Sequence, residues 1–155
     1  MKKNLFKLMG ILMIAFLNLG FTSCGNDDDN DDGTNTLITN AEAIYGTWLL
    51  THEEGYEDGK SYSEDISNPR YYKFDTNGTL VEYKKDKDSG KWSKNTSSFM
   101  LDVEKRSFKM FGGEYELIAL TSNLLRIKET WEYDGEQEWQ IQTFTKVSDS
   151  VLELL

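Results

Sequence analysis

The sequence predicts an all-β domain of about eight antiparallel strands, closed as an up-and-down barrel or stacked as a β-sandwich. Three observations predict it. From residue 44 onward, short runs of aromatic and β-branched residues recur at meander spacing, with turn residues between them. Alternation of period two is plain in Phe99-Met100-Leu101-Asp102-Val103 and in Leu125-Arg126-Ile127. Beyond residue 23 no segment sustains a helical period of useful length.

The strands read as 44–53, 70–75, 79–84, 90–94, 98–103, 107–110 with 114–120, 124–133 and 136–146. Turn signals punctuate them at Asn77-Gly78, Gly112-Gly113, Ser122-Asn123 and Asp134-Gly135. The tail from Ser148 to Leu155 reads as a helical turn starting at Ser148 or Asp149. So many strands in a short chain must hide their edges, which a barrel does by closing. At Asp134-Gly135 two registers compete. A two-residue loop places Trp131 opposite Glu138 and turns Trp139 to the other face. A bulged three-residue loop puts Trp139 and Ile141 on one face with Trp131, Ile127 and Leu125, and the apolar pattern favours it.

The chain ahead of the strands differs in character. Lys2, Lys3 and Lys7 precede an apolar run from Leu8 to Leu17, then Phe21-Thr22-Ser23-Cys24. That run falls short of the ~20 apolar residues a membrane span needs. It has the length of a signal-peptide core, so residues 1–23 read as a signal peptide. Cys24 is the sole cysteine, which leaves no intrachain disulfide. Five aspartates crowd Asp27, Asp28, Asp29, Asp31 and Asp32, so residues 24–40 read as an extended tether and 41–155 as the domain. Asp28, Asn30, Asp32 and Gly33 match half of an EF-hand loop. Position twelve is Thr39 rather than glutamate, so no metal site is read there.

Phe21-Thr22-Ser23-Cys24 resembles a lipobox, with Phe21 where leucine is usual. The resemblance implies that Cys24 becomes the acylated first residue of a lipoprotein. One acyl chain holds poorly and several hold firmly, at ~0.8 kcal/mol per buried methylene. The acidic run after Cys24 resembles the export signal of lipoproteins in Bacteroidetes-type bacteria. It implies an outer-membrane lipoprotein displayed at the cell surface.

Cleavage after residue 23 removes three of the 17 basic residues and none of the 27 acidic ones, leaving a net charge of −13. Such a chain repels phosphate backbones, which disfavours nucleic-acid binding. It repels anionic headgroups too, so membrane attachment falls to the lipid.

Gly46-Thr47-Trp48-Leu49-Leu50 resembles the glycine-x-tryptophan signature of lipocalin-like domains. The hairpin Tyr72–Leu80, the triplet Gly90-Lys91-Trp92 and the stretch Tyr115–Ile127 extend the likeness to lipocalin-like lipoproteins of Bacteroidetes, over about 44–146. The resemblance implies a closed β-barrel with Trp48 plugging one end. Typical lipocalins stack an arginine of the last strand on that tryptophan; here Lys146 sits nearby.

His52 is the only histidine, beside Glu53 and Glu54, and reads as a solvated or hydrogen-bonded residue. No cofactor, metal site or catalytic set is singled out, and the domain is expected to be a non-enzymatic monomer. Glu132, Glu136 and Glu138 read as a charged hairpin surface. Tyr72, Phe74, Trp92, Phe99, Phe108, Tyr115, Trp131 and Trp139 are expected to fill the barrel. Residues 54–69 read as a long loop over the open end, which the barrel resemblance makes the ligand entry, with Tyr56 and Tyr62 as ligand contacts. Two functions follow. Either the barrel binds a small apolar or glycan-derived ligand, or it is filled by its own side chains and its outer face docks an envelope protein.

Cys24→Ala is expected to leave the fold intact and to release the protein from the membrane fraction. Fractionation at high salt checks this; a variant that stays with the membrane contradicts the lipoprotein reading.

Overall fold

The computed structural model describes residues 37, 38 and 40–155. Its strands are β1 (Gly46–Glu57), β2 (Lys60–Asp65), β3 (Arg70–Phe74), β4 (Thr79–Lys85), β5 (Trp92–Asp102), β6 (Ser107–Met110), β7 (Gly113–Leu120), β8 (Leu124–Tyr133) and β9 (Glu136–Val147). They form one antiparallel sheet, ordered β2-β1-β3-β4-β5-β6-β7-β8-β9, and β1 also pairs with β9. That last pairing closes eight strands into a barrel, with β2 as an addition beside β1. The sandwich alternative is thereby excluded.

One edge of β1 pairs with β9 from Thr47 to Tyr56. The other edge is divided: Gly46–Leu49 pair with β3, and His52–Glu57 pair with β2. A β-bulge between Leu50 and His52 marks the change. Its extra residue, Thr51, is tied to the chain on both sides. Thr51 Oγ1 donates to the Thr143 carbonyl at 3.0 Å, and the Thr51 carbonyl accepts from Ile66 N–H at 3.0 Å.

The core occupies the end of the barrel near Gly46. Trp48, Leu50, Phe74, Leu80, Phe108, Leu117, Leu125, Ile127 and Phe144 are buried there. Phe74 meets Phe99 edge-on at 5.0 Å, and Tyr72 meets Phe144 edge-on at 5.3 Å, a favoured aromatic geometry. A 3-10 turn, Ala41–Ile44, plugs the end from below. Asn40 caps it by accepting from Ala43 N–H at 2.9 Å.

Trp48 is fully buried and its indole N–H donates to the Ile44 carbonyl at 2.7 Å. Lys146 lies across its ring, with Nζ 5.1 Å from the centroid and 2.9 Å from the Ala43 carbonyl. Burial pulls the Lys146 ammonium below its usual range, and Asp149 opposes that shift. Gly46 makes the crossing possible. Its φ of +113° suits glycine, and a Cβ there would stand 3.0 Å from Lys146 Cε.

The tail forms the expected helical turn, Asp149–Leu154, with Ser148 as its cap. Thr47 Oγ1 donates to Asp149 at 2.7 Å, and Lys73 stands 3.6 Å from the same carboxylate. The Thr47 bond comes first in holding the Asp149 carboxyl below the usual range, and the Lys73 charge adds to it.

Several expectations are corrected. Residues 54–69 are not a long loop. β1 runs on to Glu57, turns at Asp58-Gly59 with both residues at positive φ, and returns as β2. The β8–β9 hairpin uses the two-residue loop, with Tyr133 opposite Glu136 and Trp131 opposite Glu138, so Trp139 faces outward. The strands read over 90–94 and 98–103 are one strand, β5 (Trp92–Asp102), whose first half pairs with β4 and whose second half pairs with β6. The β6–β7 turn falls on Phe111-Gly112, one residue earlier than read.

Trp48→Ala is expected to cost ~3–5 kcal/mol, the usual range for a large buried aromatic. That is much of the ~5–15 kcal/mol that holds a domain folded. Chemical denaturation checks it; a loss under 1 kcal/mol contradicts the role of Trp48 as the plug.

Candidate functional site

Directly opposed residues of an antiparallel ladder share a face, so the registers show which side chains point inward above the core. Phe144 is opposite Leu50 and Leu125. Two residues up β9, Gln142 is opposite Glu53 and Ile127, then Gln140 opposite Gly55 and Glu129, then Glu138 opposite Trp131. On the far wall Tyr72 is opposite Glu82, and Glu82 is opposite Asn95. The inner surface thus changes within one strand from apolar to polar.

The wall also thins at this height. β7 pairs with β8 only up to Lys128, and β6 pairs with β5 only from Phe99 down. Glu129–Tyr133 of β8 and Trp92–Ser98 of β5 therefore flank a notch. The β6–β7 turn lies at its base, where Phe111 meets Tyr72 edge-on at 6.5 Å.

Two carboxylates are buried in this polar half, and both accept hydrogen bonds. Glu53 accepts from Gln142 Nε2 at 2.9 Å and from Arg70 at 3.3 Å. Glu138 accepts from the Trp131 indole at 2.6 Å and from Asp58 N–H at 2.9 Å. Glu138 is 5 % exposed, so it is no surface charge, contrary to the sequence reading. A third, Glu82, accepts from the Tyr72 hydroxyl at 3.0 Å. The phenols nearby register the same field. Burial first, then the Glu82 charge, pushes Tyr72 well above the ordinary phenol range. Burial and Glu129 raise Tyr115. Burial raises Tyr62 against an opposing hydrogen bond from Gln140, and Glu53, Glu57 and Glu64 add to the rise.

A cavity of about 220 Å³ opens beside the Glu53–Arg70 pair, between the end of β2 and the β4–β5 turn. Glu64, Asp65, Ile66, Ser67 and Asn68 line one side, and Lys84 and Lys87 the other. Apolar ligand pockets run to ~300–1,000 Å³; this one is smaller and its lining is polar.

The structure separates the two tyrosines singled out by sequence. Tyr62 is opposite Gly55 on the inner face, and a Cβ on Gly55 would stand 2.7 Å from its hydroxyl oxygen. Tyr56 is opposite Trp139 on the outer face. Trp92 likewise stands outside, 5.8 Å from Tyr71. Cys24, Asp27, Asp28, Asp29, Asp31 and Asp32 lie outside the described residues.

His52 is held on both sides, its Nδ1 2.8 Å from Asp65 and its Nε2 3.1 Å from the Ser63 hydroxyl. Serine, imidazole and carboxylate in a row are the parts of an activated nucleophile. Here Asp65 is 95 % exposed, so water screens the carboxylate, and the row lies on the outer face of the β1–β2 hairpin. Among the described residues no three His, Cys, Asp or Glu side chains are grouped to hold a metal.

No protein-family model matches the chain, and no curated protein matches it. Similar solved structures include the cockroach allergen Per a 4 (14% identity, 79% of this chain and 76% of that one, TM-score 0.47). Others are a bovine odorant-binding protein variant (17%, 72% and 81%, 0.41) and lobster apocrustacyanin A1 (12%, 74% and 68%, 0.45). Superpositions this loose carry no weight for ligand or activity. The chain's own pairing defines its class: a closed antiparallel up-and-down barrel of lipocalin-like architecture, packed at one end and polar at the other.

Glu138→Leu is expected to leave the Trp131 indole N–H without its acceptor, at ~1–3 kcal/mol. Glu136→Gln on the exposed rim is expected to stay within about 0.5 kcal/mol. Denaturation followed by tryptophan fluorescence checks both; equal losses contradict the buried role of Glu138.

Proposed function

We propose that this protein is a cell-envelope lipoprotein whose barrel mouth binds a small polar ligand, glycan-derived rather than apolar. The observation that carries the reading is the division of the interior. The apolar half is filled by its own side chains, so it offers an apolar ligand no room. The upper half opens a polar cavity beside Glu53 and Arg70, and Gln140, Gln142 and Tyr62 stand on the same inner face. Hydrogen-bonding side chains fixed on strands are what recognition of hydroxyl and amide groups requires. Anchoring through Cys24 and display by the acidic run belong to the same proposal and rest on the sequence.

A second reading, docking of an envelope protein, is favoured by the outer face. Tyr71, opposite Tyr83, and Trp92 form an aromatic strip there with Lys85 and Lys94 over the rings. Native mass spectrometry of protein purified from its own host separates the two. A co-purified small polar molecule is expected. Tight binding of a hydrophobic naphthylamine dye contradicts the polar mouth, and a protein cross-linked through Tyr71, Tyr83 or Trp92, with no small molecule, favours docking.

A further inference from the structure

We propose that the ligand taken by the mouth cavity is a zwitterion, carrying an ammonium and a carboxylate a few bonds apart; this rests on the ligand-binding reading above. The cavity is dipolar. Glu64 and Asp65 stand on the β2 side, Lys84 and Lys87 on the side of β4 and its following turn, and the Glu53–Arg70 pair lies at its base. Opposite charges that line one cavity could meet. Yet Glu64, Lys84 and Lys87 form no ion pair within 4 Å among the described residues, whereas Asp65 is taken by His52. The walls are kept apart by their strands: Glu64 is fixed opposite Glu53 on β1, and Lys84 opposite Arg70 on β3.

A charge facing an opposite charge across a gap is satisfied by a guest that carries both, with its ammonium toward Glu64 and its carboxylate toward Lys84 and Lys87. The Glu53–Arg70 pair at the base repeats the same polarity and offers an acceptor and a donor to the middle of the guest. The volume of about 220 Å³ equals the liquid share of roughly seven waters. That admits a dipeptide or an amino-sugar acid. A ligand of single charge would leave one wall facing its own sign or nothing.

Calorimetry on the full chain, solubilised in detergent, tests it with dialanine, N-acetyl-dialanine and dialanine amide. Muramic acid, N-acetylmuramic acid and a neutral N-acetylglucosamine disaccharide complete the set. At least one free zwitterion, dialanine or muramic acid, is expected to bind at least about tenfold more tightly than its blocked forms, and which one binds names the source. Glu64→Gln is expected to erase the penalty for blocking the amine. Lys84→Met is expected to erase the penalty for blocking the carboxylate, with unchanged melting temperature in both. Blocked forms that bind as well as free ones, or binding of the disaccharide alone, overturn the zwitterion and leave the polar mouth standing. No binding by any probe overturns both.

Discussion

The pairing of β1 with β9 governs the rest of the molecule. β1 is the one strand that meets three others, and its bulge at Thr51 marks the change from β3 to β2 on one edge while β9 stays paired along the other. Below the bulge β1 sits between β3 and β9, so the barrel is continuous and its inner face can be packed dry. Above the bulge its free edge takes β2 instead, and β3 is released. The wall there is assembled from separate pieces, and water reaches its inner face. One extra residue thus marks the line in a single sheet between a part that is packed dry and a part whose inner face is polar. The β7–β8 pairing carries its own bulge, between Leu117 and Ala119, and also stops short of the mouth.

The closed end shows why glycine-x-tryptophan works as a unit. Trp48 needs a partner for its N–H and a cover for its ring. Ile44 supplies the first through its carbonyl, and Lys146 supplies the second. Gly46 leaves Lys146 room to reach the ring, since a Cβ there would stand 3.0 Å from its Cε. The same ammonium then ties the Ala43 carbonyl, so the 3-10 turn, the first strand and the last strand are fastened at one point. Lysine here does the work that an arginine would do in the resembled family, with one hydrogen bond in place of a fork.

What the sequence revealed and what it hid divide along the same line. The lower barrel was legible because burial writes alternation into a strand. Tyr72 and Phe74, Phe108 and Met110, and Leu125 and Ile127 are each two apart, and all are buried. The mouth was illegible because its strands alternate between polar residues and other polar residues. β2 reads Lys60-Ser61-Tyr62-Ser63-Glu64-Asp65, with no apolar period, so it passed for a loop. Asp58-Gly59 was a hairpin signal of the kind recognised at Asp134-Gly135, but it had no hydrophobic flanks to lend it meaning. The β8–β9 register failed for a related reason. Tryptophan reads as a sign of the buried face, whereas here Glu138 is buried and Trp139 is outside, under Lys128. Nor did spacing alone tell that His52, Ser63 and Asp65 would stand together.

Stability alone does not call for the Glu53–Arg70 pair. Replacing a buried ion pair by well-packed apolar residues is often neutral or stabilising, because the charges no longer pay desolvation. Glu53 with Arg70 could give way to leucines and extend the apolar core upward. The upper strands would then match the lower ones in pattern, and the notch beside β5 would have something to cover. Instead, every buried side-chain polar atom among the described residues has a partner. The polar half is therefore built to tolerances that a solvated surface does not need. Pre-positioned donors and acceptors lose little entropy when a guest arrives, and strands position them better than a mobile loop would. The stability forgone at the mouth is supplied by the dry end, which is why the two halves of one barrel obey different rules of composition.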